Sequence, residues 1–106
     1  MDRPLRRCFL AHLTSATSAA VPCLVQGYLI AHGHTSITLD DATAAVVFGM
    51  DDETRAPLPR SLGLGDYVCA SVRPTAGEGW VTEMVWIRED SGLEEPLWVA
   101  DVILLS

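Results

Sequence analysis

The sequence predicts a small, mainly β fold: a five-stranded, partly open barrel with a helix at each end. Three observations predict it. Five short apolar segments follow one another between residues 23 and 88, each bounded by Gly, Pro or Asp. The first carries an internal glycine, Gly27, of the kind that marks a bulge or sharp bend, and a long irregular connection follows the third. Helical spacing of apolar residues occurs only near the two ends. The 106 residues suffice for one domain, and 49% hydrophobic with 20% charged residues is ordinary for a folded globular chain. No apolar run approaches the ~20 residues that a bilayer span needs, so no membrane partner is expected.

At the N-terminus, residues 4–13 place Leu5, Phe9 and Leu13 on one helical face, with Cys8 and His12 beside them. The first 39 residues hold one acid, Asp2, together with Arg3, Arg6, Arg7 and a Ser/Thr/Ala stretch. That bias also resembles an organelle transit peptide, but the apolar spacing favours a helix. Residues 14–20 read as a linker. The expected organisation is therefore a helix and linker over 1–20 and a barrel domain with a C-terminal helix over 21–106.

The first strand covers residues 23–32. Gly33-His34 turns the chain into a second strand over 35–40, with Ile37 and Leu39 inward and Ser36 and Thr38 outward. Asp40-Asp41-Ala42-Thr43 is a second turn, and residues 44–50 form a third strand with Val46, Phe48 and Met50 on one side. Residues 51–66 are irregular and rich in Asp, Pro and Gly. The fourth strand runs from Tyr67 to Arg73, with Val68, Ala70 and Val72 on one face. The fifth runs from Trp80 to Arg88. It sets Val81, Val85 and Ile87 one way and Trp80, Met84 and Trp86 the other, so it is apolar on both faces. An outward Met84 and Trp86 would form an exposed patch of the kind that marks an interaction site. Five such strands, a bent first strand and a long third connection match the OB-fold.

The last dozen residues form the C-terminal helix, with Pro96 expected at its first position and Glu94 and Glu95 at the positive end of its dipole. On a helix, Leu97, Asp101 and Leu104 share one side; Trp98, Val102 and Leu105 share a second; Val99 and Ile103 make a third row. A helix apolar nearly all round is buried on more than one side, and so small a domain offers one surface. The remainder is expected to meet another protein. For Trp98, packing on its own barrel is nearly as good a reading as a direct partner contact.

Other chemistry is weakly represented. The formal net charge is −7 and all seven basic residues are arginines, which is poor for phosphate backbones. A nucleic-acid-binding barrel also needs aromatic platforms and a basic groove. The second and third strands offer only Phe48, although Trp80 and Trp86 remain as stacking candidates. Cys8, Cys23 and Cys69 are odd in number and scattered, which reads as buried free thiols rather than a disulfide framework. His32-Gly33-His34 with Cys23 or Cys69 lacks closed zinc-ligand spacing. Asp40, Asp41, Asp51, Asp52 and Glu53 lack a calcium-loop pattern and read as solvated turn acids. No nucleophile elbow surrounds a serine, and Gly63-x-Gly65 precedes a strand, so it does not cradle phosphate. No enzyme, metal or cofactor is expected.

Several segments resemble a known family. The run Cys23–Ile30, the hairpin Ile37-Thr38-Leu39-Asp40-Asp41-Ala42-Thr43 with Val46, and Leu64-Gly65-Asp66-Tyr67-Val68 resemble the strands of small OB-fold subunits. Glu95-Pro96-Leu97-Trp98-Val99-Ala100-Asp101-Val102 resembles the terminal helix of the small second subunit of the RecQ-mediated genome instability (RMI) complex. The resemblance implies a noncatalytic nuclear protein that pairs with the larger RMI subunit. Through it the chain would join a RecQ helicase and a type IA topoisomerase in double Holliday junction dissolution, with weak or no DNA binding of its own. By motif position it implies Leu97, Trp98, Asp101 and Val102 as interface residues; the patch and helix arguments add Met84, Trp86 and Leu105. A single-stranded DNA-binding subunit of a replication protein A-like or telomere-capping complex shares this architecture and is the alternative.

Overall fold

A computed structural model describes residues 6–13, 22–50, 62–75, 79–88 and 91–105. The elements, in chain order, are β1 (Arg6–Arg7), α1 (Leu10–Leu13), β2 (Cys23–His32), β3 (Ser36–Asp40), β4 (Ala45–Gly49), β5 (Tyr67–Pro74), β6 (Trp80–Arg88) and α2 (Ser91–Leu105). The strands hydrogen-bond in the order β1-β2-β3-β4-β6-β5, and β5 also pairs with β2, which closes the sheet into a barrel. The two-residue β1 adds to the five expected strands. It lies parallel to β2, at Arg6 opposite Cys23 and Arg7 opposite Leu24.

Closure depends on β2 pairing on both sides. Residues 23–28 pair antiparallel with β5, and residues 28–32 pair with β3. Gly27 sits at this changeover, where a Cβ would lie 3.0 Å from the Asp40 carbonyl oxygen. Its absent side chain lets two backbones approach. The bulge expected at Gly27 falls instead between Leu29 and Ala31. There Ile30 is left pointing to solvent.

The interior follows the alternation in β3 and β4. Ile37, Leu39, Val46 and Phe48 are buried, and Met50 is buried just past β4. Val25 and Leu29 of β2 and Val68, Ala70 and Val72 of β5 fill the rest. In β6 a register irregularity opposite Ser71 and Val72 makes Glu83 the extra residue, so inward positions change parity. Thr82 and Val85 are therefore the buried pair, and Val81 leaves the Val85 face that simple alternation assigned to it. The Ser71 hydroxyl accepts the Met84 N–H freed at this bulge, at 3.1 Å.

The N-terminal segment is held differently from expectation. Among the described residues of the expected 4–13 segment, the helix covers Leu10–Leu13, because Arg6 and Arg7 are taken up by pairing with β2; residues 4 and 5 lie outside the described residues. Cys8 and Leu10 enter the core. Asp41, read as a solvated turn acid, has a structural task. One carboxylate oxygen accepts the Leu10 N–H at 2.7 Å; the other accepts the Thr43 N–H at 2.9 Å and the Thr43 hydroxyl at 2.5 Å. The Thr43 oxygen in turn accepts the Ala11 N–H at 3.1 Å. The β3–β4 turn thus supplies the cap that a helix start needs. Asp41→Ala should lower unfolding stability by about 1–2 kcal/mol in denaturant titration.

Cys8 and Cys23 lie together in the core. Burial, with the Cys8 thiol beside it, pushes the Cys23 thiol from 9.0 up to about 12. Burial also raises the Cys69 thiol and the Tyr67 phenol. Each group holds its proton more tightly folded than unfolded. The stability this carries is complete below about pH 9 and is lost as pH climbs from there toward about 12. Under reducing conditions, melting temperature should fall over that window, and Cys23→Ala should flatten the fall.

Candidate functional site

The site is built on α2 and on the outer face of the barrel beneath it. Val68, Ala70 and Val72 occupy the inner face of β5, so Tyr67, Cys69 and Ser71 point outward. All three are nonetheless buried, along with Gln26 of β2. The ring of Tyr28 lies 4.9 Å from that of Tyr67, tilted by 53°. Two strands covered on both faces leave β6 with the open surface, where Met84 and Trp86 are 54% and 39% exposed.

The helix begins earlier than expected. Ser91 is its first residue and Pro96 its sixth, inside the helix rather than at its start. Pro96 has no N–H for the Gly92 carbonyl, so that rung is missing. Glu94 in the first turn accepts from the Arg88 guanidinium of β6 at 2.5 Å, which ties the helix start back to the sheet. This hydrogen bond raises the Arg88 pKa further.

One of the three apolar rows faces the barrel. Trp98 and Val102, one turn apart, are 4% and 1% exposed. They are the intramolecular anchor. The other two rows face outward: Leu97 is 52%, Leu104 78%, Val99 39% and Ile103 65% exposed. Leu93 extends the Leu97 row by one turn and is also exposed. Asp101 is half-buried, and the side chain of Leu105 lies outside the described residues. Of the residues expected to meet a partner, the structure brings Met84, Trp86 and Leu97 to the surface and turns Trp98 and Val102 inward.

Between α2 and the sheet lies a cavity of about 510 Å³. Its charged lining is balanced, with Arg7 and Arg88 against Glu94 and Asp101. Three buried side-chain polar atoms have no hydrogen-bond partner among the described residues: Gln26 Oε1, Arg88 Nε and Trp98 Nε1. All three belong to residues that line this cavity. No sequence signal marked Gln26 or Arg88, because their pairing with the cavity depends on where the helix lands.

Other candidates fare differently. Phe48 is wholly buried in the core, so the outer side of β3 and β4 presents Ser36, Thr38, Asp40, Ala45, Val47 and Gly49 and no aromatic platform. The Trp80 indole packs against the core and donates to the Leu13 carbonyl at 3.3 Å. Arg73 and Arg88 are each paired with a glutamate; Arg55 and Arg60 lie outside the described residues. No group of three His, Cys, Asp or Glu converges among the described residues, and Asp51, Asp52 and Glu53 lie outside them. Among the described residues, no helix is long and apolar enough to cross a membrane.

Comparison with solved structures decides the fold. A chain of the crystal structure of the S. pombe Stn1–Ten1 complex superposes with a TM-score of 0.69 over 99% of this chain and 94% of that one, at 15% identity. The telomere capping protein Ten1 from Saccharomyces pombe gives 0.68 over 95% of this chain and 96% of that one, also at 15% identity. The fold is the OB-fold. At these identities the likeness speaks for the fold alone. The sequence matches no family model and shows no significant similarity to a curated protein.

These neighbours correct the RMI resemblance, and with it the larger RMI subunit, the RecQ helicase and the type IA topoisomerase as partners. The physical reason lies in the motifs. Leu64-Gly65-Asp66-Tyr67 is a turn into β5, with Gly65 at φ 92° and the Asp66 carboxylate accepting the Gly63 N–H at 2.8 Å. The Leu29 N–H and carbonyl clamp this turn to β2, each at 2.8 Å. Such residues satisfy OB-fold geometry in any family.

The division between anchor and outer rows is testable by chemical denaturation. Trp98→Ala should cost about 3–5 kcal/mol of stability, as loss of a buried aromatic does. Ile103→Ser should stay within about 0.5 kcal/mol of the parent.

Proposed function

We propose that this chain is a small noncatalytic subunit of a telomere-capping type of complex, which pairs through α2 with a Stn1-like OB-fold partner and works in the nucleus. The observation that carries the pairing is the doubly exposed apolar face of α2, where Leu97, Val99, Ile103 and Leu104 stand in solvent on a helix already anchored from below. Patches of this kind are covered in assemblies. The structural likeness to Ten1 and to a chain of the Stn1–Ten1 complex supports the choice of complex.

The mechanism is burial. Docking a partner helix or sheet on the outer rows removes apolar area from water at about 25 cal/mol per Å². Area sets a ceiling on affinity rather than its value. Single-stranded DNA is then held by the assembled pair, since this chain carries a formal charge of −7 and no aromatic platform on β3 or β4.

Co-expression with the Stn1-like protein of the same organism should yield a stable heterodimer by size exclusion. Leu97→Asp and Ile103→Asp should each weaken it on the order of 100-fold, as loss of a central contact does. The isolated chain should bind single strands weakly, and the pair more tightly and with a steep salt dependence. Absence of a complex with the parent chain, or a complex indifferent to Ile103→Asp, would sink the proposal.

A further inference from the structure

Between the two outer rows of α2 stand Pro96 and Ala100, both exposed. With Val99 and Ile103 on one side and Leu97 and Leu104 on the other, they make the outward face apolar across its width. Acids border this face on both edges. Glu95 lies four residues before Val99, and Asp101 lies four residues after Leu97, so each adjoins one outer row. Both acids are half-buried, and neither forms an ion pair among the described residues.

No cation of α2 offsets them. The helix has no Lys, Arg or His, and its last turn, where the carbonyl ends carry partial negative charge, has no basic residue. Arg88 reaches the helix but is engaged with Glu94. Arg7 lines the cavity with Asp101, and the two form no ion pair among the described residues. The chain as a whole has a formal charge of −7. An incoming surface therefore meets an apolar strip with a carboxylate along each edge.

Covering the strip draws water away from both carboxylates, and a carboxylate that loses water needs a donor or a cation in its place. Charges at the edge of an interface steer the encounter and reject like charge more than they add affinity. A second copy of this chain brings its own Glu95 and Asp101 to the contact, and no cation on α2, so its own flanks disfavour it. A surface with basic flanks replaces the lost water and is drawn in from a distance.

We propose that the occupant of the outer face of α2 is an apolar strip flanked on both sides by Arg or Lys, and that Glu95 and Asp101 select it over a second copy of this chain. That a Stn1-like protein supplies the strip rests on the pairing proposed above; the charge pattern required of the occupant does not.

The chain itself provides a probe. A double variant, Glu95→Lys with Asp101→Lys, keeps the apolar rows and reverses both flanks, so it offers the parent a surface of the stated kind. Parent, variant and an equimolar mixture are compared by sedimentation at low salt. The mixture should associate at least about tenfold more tightly than either chain alone, the factor that about 1.4 kcal/mol represents. Salt of about 1 M should erase the difference. With the Stn1-like protein, the same variant should lower the association rate at least about tenfold at low salt, and the loss should shrink as salt rises. Should the reversed variant unfold, Glu95→Gln with Asp101→Asn should slow association with that protein and increase self-association of the isolated chain.

A mixture no tighter than either chain alone, or a Stn1-like partner whose association ignores the flanks, would overturn the selection by charge. Parent chains that self-associate as tightly as the mixture would make a second copy the occupant and overturn it as well. A tight mixture from a chain that captures no Stn1-like protein would refute the pairing alone.

Discussion

Everything in this molecule depends on one strand pairing with two neighbours. β2 gives its first half to β5 and its second half to β3, and among the described residues no other strand pairs with both ends of the sheet. That requirement fixes Gly27, where the backbone of Asp40 comes within 3.0 Å of the position a Cβ would take. It also fixes the bulge after Leu29, which bends the far end of the strand toward β3. Because the sheet closes, its interior is filled by alternate residues of every strand. The same closure sets Leu24, Gln26, Cys69 and Trp86 together on one outer surface. α2 has that surface to land on, so the site is a consequence of how the barrel shuts.

The helix is held from one side and left open on two. Trp98 and Val102 bury enough side chain to contribute on the order of 5 kcal/mol together. The Arg88–Glu94 pair, with both side chains partly exposed, adds at most about 1 kcal/mol. The Leu97, Val99, Ile103 and Leu104 side chains contribute no burial until something covers them. Such a helix gains from a partner twice, through new contact and through restraint of an element its own domain holds from one side.

The legible parts of the fold were those that local chemistry decides. Alternation in Ser36–Asp40 and Ala45–Gly49 placed Ile37, Leu39, Val46 and Phe48 inside, and the structure agrees. Local pattern fails where a distant element intervenes. Residues 6 and 7 look helical by spacing, yet they pair with Cys23 and Leu24 because β2 has an open edge there. Glu83 is invisible as a bulge until Ser71 and Val72 fix the register across from it. Asp41 looked like any turn acid, since its partners, Leu10 and Thr43, include one that is 31 residues away. In α2 the sequence identified three apolar rows but not which one the barrel would claim. The structure shows that choice to be the Trp98–Val102 row. The family resemblance failed for a related reason. Its motifs encode a turn into β5 and an apolar terminal helix, which are demands of the architecture, and architecture is shared across families that do different things.

The ionisable groups near the site bear on what it does. Catalytic acids, bases and nucleophiles are tuned toward the working pH, so that protonated and deprotonated forms are both accessible. Here the perturbed groups move the other way. Burial drives the Cys69 thiol and the Tyr67 phenol upward, and Glu94 holds Arg88 more firmly charged. Groups set in one protonation state suit fixed hydrogen bonding and packing, since their charges do not change as a partner excludes water.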